Sequence, residues 1–162
     1  LYNLAAEYAD IKSTDTVFDL YCGAGTISLY AAKYAKKVYG IEIVESAVEN
    51  AWKNALLNGI ENAEFFCGDA AEITEKLLSD GISADCVIVD PPRKGCDNAL
   101  LNLLLEINPP KISYVSCNPA TLARDINFLE DNGYKCVKVQ PVDMFVNSSH
   151  VETVCLMSRI EK

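Results

Sequence analysis

Apolar and polar positions alternate in two different periods along this chain, and the periods take turns from one end to the other. Helical spacing covers 1–12, 26–35, 45–59, 70–81, 98–107 and 119–133. Between these lie short runs rich in β-branched and aromatic residues: "TVFDLY" (16–21), "KVYGIEI" (37–43), "AEFFCGD" (63–69), "ADCVIVD" (84–90) and "KISYVSC" (111–117). The run at 84–90 is almost continuously apolar, which predicts a strand buried on both faces. Two further strands, 134–143 and 150–160, follow each other without an intervening helix. Gly59 and Gly133 mark helix ends, and Pro119 marks a helix start.

Strand–helix alternation predicts an α/β fold with an open, doubly wound, mostly parallel sheet. Ligands of such sheets bind beyond the carboxyl ends of the strands. The chemically notable residues gather at those ends: Asp19 to Gly23, Glu42, Asp69, Asp90-Pro91-Pro92 and Ser116 to Pro119. Five segments are therefore expected to converge on one rim.

Composition narrows the picture. The chain has 162 residues, half of them hydrophobic, enough for one domain with a substantial core. No stretch approaches the length of apolar sequence that spans a membrane. The opening "LYNLAAEYAD" has no basic leader and reads as a helix cut from a longer protein. Fourteen basic against twenty-three acidic residues give a net charge of −9, so these residues alone are expected to hold a polyanion weakly. The seven cysteines are scattered with no CxxC pair, which points to a reducing, cytoplasmic setting and to cysteines that act mostly as small core residues. No metal-ligand spacing is present, and a monomer is expected.

The turn "DLYCGAGT" places Gly23 and Gly25 where backbone must bend sharply and approach a ligand beside a helix start. Glu42 ends the next strand, where an acid can accept from two ribose hydroxyls. Asp19 would repel a pyrophosphate but suits a ligand that carries an ammonium and a sulfonium. Asp69 can accept from an adenine amino group and also cap the helix that follows it. "VDPPRKG" sets Asp90 on a rigid floor, and Arg93 and Lys94 add a local positive spot that suits a phosphate. Cys117 lies immediately before a helix N-terminus, where free N–H groups favour a thiolate. Glu152 and His150, each taken alone, read as a solvent-facing strand residue and a loop residue.

In that order, "DLYCGAGT", "GIE", "CGDA", "DPPRKG", "SCNPATLARD" and "HVETV" resemble the RNA uracil-C5 methyltransferases, which form 5-methyluridine in transfer or ribosomal RNA. The resemblance extends over essentially the whole chain. It implies a class I S-adenosylmethionine-dependent methyltransferase fold, with seven strands and an antiparallel final strand. It implies cofactor contacts from Tyr21, Gly23, Gly25, Thr26, Glu42, Asp69 and Asp90, with Cys117 as nucleophile and Glu152 as general base. On the substrate side the candidates are Asp90, Arg93, Asn118 and His150. Family members commonly read "MFPHTxHVE" where this chain reads "MFVNSSHVE" at 144–152. In many members N-terminal RNA-binding parts lie ahead of the segment that this sequence resembles.

The chemistry asks for these residue types. Uracil C5 is a poor nucleophile until a thiolate adds at C6 and makes C5 carbanion-like. After methylation the C5 proton must leave, and a carboxylate partly shielded from water is suited to take it. A paired target base must first be flipped from its stack. Two other readings stand beside this one: a methyltransferase that acts on another base, and a cofactor-binding domain inactive by itself.

Overall fold

The computed structural model describes residues 1–144, 147 and 151–160. Helix α1 (Tyr2–Ala9) precedes strand β1 (Thr16–Leu20), α2 (Thr26–Ala31), β2 (Lys37–Glu42), α3 (Glu45–Leu57) and β3 (Ala63–Cys67). There follow α4 (Ala70–Ser79), β4 (Cys86–Val89), α5 (Asn98–Ile107), β5 (Lys111–Ser116), α6 (Pro119–Asp131), β6 (Tyr134–Val142) and β7 (Glu152–Arg159). The seven strands form a single sheet in the order β3-β2-β1-β4-β5-β7-β6. Pairing is parallel from β3 through β5, and β7 runs antiparallel to both of its neighbours. The expected doubly wound sheet with an antiparallel final strand is the one observed.

Neighbouring residues of a strand point to opposite faces, so a sheet covered on both sides needs apolar residues at consecutive positions. Strand β4 is buried at every position, as the run at 84–90 predicts. Val17, Val38, Ile88, Val115 and Val154 face a core shared with Ala5, Ala9, Ile27 and Ala51 of α1, α2 and α3. Phe18, Ile41, Val87, Ile112, Tyr114 and Met157 face a second core with Leu77, Leu104, Leu122 and Leu129 of α4, α5 and α6.

Two boundaries differ from the periodicity. Helix α2 ends at Ala31, short of position 35, because Ala32–Ala35 tighten into turns. The Asn62 side chain donates to Ala32 O at 2.7 Å and Ala35 O at 3.0 Å, which satisfies carbonyls that a longer helix would have used. Helix α3 ends at Leu57, two residues short of Gly59, and at its start Val44 is the N-cap with no side-chain bond. There the Glu42 carboxylate accepts from Val44 N at 3.0 Å. Asp69 caps α4 through bonds from Ala71 N and Glu72 N, as expected of an N-cap acid.

Candidate active site

Parallel strands put their carboxyl ends on one rim, and the reversal of β7 puts its first residue there too. Ser116 pairs with Thr153, so Cys117 and Glu152 are the next residues out on two neighbouring strands. The rim divides into a ligand cleft over β1, β2 and β3 and a reactive corner over β4, β5 and β7.

In the cleft, Tyr21, Glu42 and Asp69 come together with Ile41, Ile43, Gly68 and Ala70 around a hollow of about 140 Å³. Tyr21 has a left-handed backbone (φ 69°), unusual for a residue with a bulky side chain and a form of strain that functional loops retain. Its N–H and that of Cys22 both donate to Ile41 O at 3.0 Å, which holds the turn against β2. Glu42 accepts from Gly23 N at 3.1 Å, so one carboxylate braces the turns after both β1 and β2. Asp69 uses Oδ1 for both capping bonds.

The two glycines of the turn do different work. A Cβ on Gly23 (φ 54°) would meet nothing within 4 Å, so the turn is open toward the cleft. A Cβ on Gly25 would lie 3.0 Å from Ala51 Cβ and from the Phe65 ring, so this glycine serves the packing of α2 against α3. Thr26 is exposed and lines a separate hollow of about 250 Å³ between α2 and α3, away from Glu42 and Asp69. A larger hollow of about 410 Å³ between α1 and α2 lies toward the opposite end of the strands, where Asp10 meets Lys111 at the start of β5.

Acidic groups crowd the rim. Asp19 is fully buried; its Oδ2 accepts from Ser28 Oγ, and its Oδ1 has no hydrogen-bond partner. Burial, with the charges of Asp90 and Glu42 nearby, pushes the Asp19 carboxyl up to about 7. Burial and the neighbouring Glu152 push Asp90 up to about 6. An orphaned carboxylate oxygen beneath an open turn, surrounded by further acids, suits a ligand that carries positive charge. S-adenosylmethionine, with its ammonium and sulfonium, matches that requirement; a pyrophosphate does not.

The raised Asp19 value has a thermodynamic consequence. A carboxyl with a higher pKa when folded stabilises fully below its unfolded value of 3.8, and the contribution is lost as pH rises through about 7. The thermal midpoint of the parent domain should therefore fall more between pH 5 and pH 8 than that of Asp19→Asn. Parallel falls in scanning calorimetry would show that Asp19 titrates as an ordinary exposed acid.

At the reactive corner, Glu152 is buried at 8% exposure, whereas the alternation of β7 read it as solvent-facing. Cys117 is half-buried. Burial raises the thiols of Cys22, Cys86, Cys96 and Cys155, so they are poor nucleophiles. Of the three cysteines outside the core, Cys67 ends β3 and Cys136 lies on β6; Cys117 alone stands beside β7 at the rim.

Asn118 is committed to the backbone: Oδ1 accepts from Ala120 N, as the cap of α6, and Nδ2 donates to Arg93 O at 3.2 Å. Arg93 is exposed on the loop after Asp90. His150 lies outside the described residues. Tyr114, Thr121, Arg124 and Asp125 join the corner without a sequence motif that marks them. Asp125 is fully buried and accepts from Tyr114 Oη at 2.6 Å, from Cys96 N at 2.8 Å and from Arg124 Nε at 2.8 Å. The stretch "ATLARD" shows this network only as spacing, with Thr121, Arg124 and Asp125 at helical intervals after Asn118.

The sequence profile of the tRNA (uracil-5-)-methyltransferases matches residues 3–160. The chain belongs to this family. An RNA methyltransferase of Bacillus cereus without an assigned substrate is 56% identical over all 162 residues, which make up 35% of that relative. A similar protein of Clostridium tetani is 56% identical over 158 residues, 98% of this chain and 34% of the relative. The chain thus spans about a third of the length of these curated relatives. Among solved structures, the Pyrococcus abyssi tRNA (uracil-54, C5)-methyltransferase in complex with S-adenosyl-L-homocysteine superposes with a TM-score of 0.78 at 34% identity. That match covers 96% of this chain and 37% of the archaeal one. An rRNA methylase of Streptococcus thermophilus, at 14% identity and a TM-score of 0.76, covers 99% and 94% of the two chains and shares the fold.

Proposed function

We propose that this chain is the catalytic domain of an enzyme that transfers a methyl group from S-adenosylmethionine to C5 of a uridine in RNA. The observation that carries the reading is the juxtaposition of Cys117 and Glu152 on adjacent strands, with Asp90 close enough to Glu152 to feel its charge. The Pyrococcus abyssi relative, named for uracil C5 and bound to S-adenosyl-L-homocysteine, supports both substrate and cofactor.

Tyr21, Gly23, Glu42 and Asp69 hold the adenosine end of the cofactor, and the acids beneath the β1 turn favour its positive charge. When bound, S-adenosylmethionine supplies an electrophilic methyl group on a sulfonium. The Cys117 thiolate, at the N-terminus of α6, adds to C6 of the flipped uracil, and the ring carries the electron pair as an enolate with nucleophilic C5. Once C5 is methylated, the Glu152 carboxylate takes the C5 proton, the C5–C6 double bond re-forms, and the thiolate leaves. The net charge of −9 assigns most of the RNA affinity to parts of the protein beyond these residues.

Full-length protein incubated with unmodified RNA and labelled S-adenosylmethionine should yield 5-methyluridine on nucleoside mass spectrometry. Label in 5-methylcytidine or in a methylated adenosine instead would exclude the reading.

A further inference from the structure

The loop after Asp90 and the helix after Cys117 are bound to each other by a run of hydrogen bonds along one side of α6. Asn118 Nδ2 and Thr121 Oγ1 both donate to Arg93 O, at 3.2 and 3.3 Å. One turn further, Arg124 Nη2 donates to Lys94 O at 3.1 Å and to Cys96 O at 2.9 Å. Asp125 receives Cys96 N from the loop and Tyr114 Oη from β5, and it fixes the guanidinium through Nε at 2.8 Å and Nη2 at 2.7 Å. The fit is tight: a Cβ on Gly95 (φ 76°) would lie 2.6 Å from Asp125 Oδ2 and 2.7 Å from Arg124 Nη2. Loop backbone from 93 to 96 is thereby registered against the helix whose first turn follows Cys117.

On the functional reading above, we propose that Arg124 and Asp125 are positioning residues for methyl transfer. They form a clamp that sets the Asp90-Pro91-Pro92 floor against Cys117. Each touches neither the ligand cleft nor Glu152. Both act by holding two strand ends in one geometry, so that the uracil held on the loop lies in line with the thiolate. A displacement of about 1 Å in such a pair is enough to slow a reaction of aligned groups about a hundredfold. The partners of Arg124 and Asp125 among the described residues are Lys94, Cys96 and Tyr114, none of them on the cofactor turns after β1, β2 and β3.

The test uses full-length protein with RNA containing 5-fluorouridine, whose C5 fluorine cannot leave as a proton and so traps the Cys117 adduct. Arg124 is half-exposed, so Arg124→Gln removes the loop bonds while Asp125 keeps Tyr114 and Cys96. The expected result is an adduct rate and kcat lowered at least about tenfold, with the KM for RNA and the affinity for S-adenosylhomocysteine each within about twofold of the parent. Arg124→Lys should recover part of the rate. Gly95→Ala, which pushes on the clamp from the loop side, should reproduce the split.

An adduct rate within about twofold of the parent in both Arg124→Gln and Gly95→Ala overturns the clamp. A raised KM for RNA with kcat unchanged also overturns it, because Arg124 would then be an RNA contact. A parent protein that forms no adduct at all overturns the functional reading, and the clamp falls with it.

Discussion

Replacing Cys117 with alanine should abolish both the covalent adduct and methyl transfer, with a loss of turnover on the order of 10⁴-fold or more. Among the described residues no other cysteine is placed to take over, Cys136 included, which pairs with Met157 on β7 far from Glu152. The thiols of Cys22, Cys86, Cys96 and Cys155 are buried and pushed up in pKa, and Cys67 lies at the opposite edge of the sheet. Serine at 117 would fit the space, yet its hydroxyl lacks the thiolate's nucleophilicity and should fare little better. Binding of S-adenosylhomocysteine should persist in both variants, since Tyr21, Glu42 and Asp69 are separated from Cys117 by β4 and β1. The measurement is adduct formation with 5-fluorouridine RNA on a denaturing gel, alongside calorimetry with the nucleoside product. Adduct from Cys117→Ala would assign the nucleophile to another residue.

Glu152→Gln should fail at a different step. The thiolate can still add and C5 can still be methylated, but the amide cannot take the C5 proton. Methylated RNA should then accumulate covalently on the enzyme even with ordinary uridine, while turnover falls by about 10²–10⁴-fold. The same substitution removes the charge that helps raise Asp90 to about 6, so the Asp90 midpoint should move down, with burial alone still holding it above 3.8. Carbon-detected NMR titration of labelled protein reads that shift directly. Free 5-methyluridine-containing RNA released at the parental rate would remove Glu152 from the mechanism.

The contrast between Cys117 and Glu152 shows what a linear sequence exposes. The position of Cys117 at a strand end before a helix is legible from local signals: an apolar strand stops, a proline starts a helix, and a cysteine sits between them. Glu152 was recognised only through the "HVETV" resemblance. Strand alternation records which face a side chain takes, whereas what packs over that face depends on the tertiary fold, which alternation does not carry. Asp69 as a helix cap and Asp19 as an acid beneath the turn were likewise local and were read from their neighbours. Asp125 was not, since its partners Tyr114 and Cys96 lie 11 and 29 positions away and are ordinary core residues by composition. Gly25 was legible as a turn residue, but its reason, the ring of Phe65, comes from a different strand.

The place of β7 also bears on the order in which the domain assembles during synthesis. Strand β6 bonds to β7 alone, so after it leaves the ribosome it has no partner in the sheet until the last of the described strands arrives. The half of the rim built from β1, β2 and β3 consists of earlier segments and can close first. Glu152 comes beside Cys117 only when β7 takes its place between β5 and β6. A nascent chain would thus acquire the hollow around Tyr21, Glu42 and Asp69 early and the Cys117–Glu152 juxtaposition last.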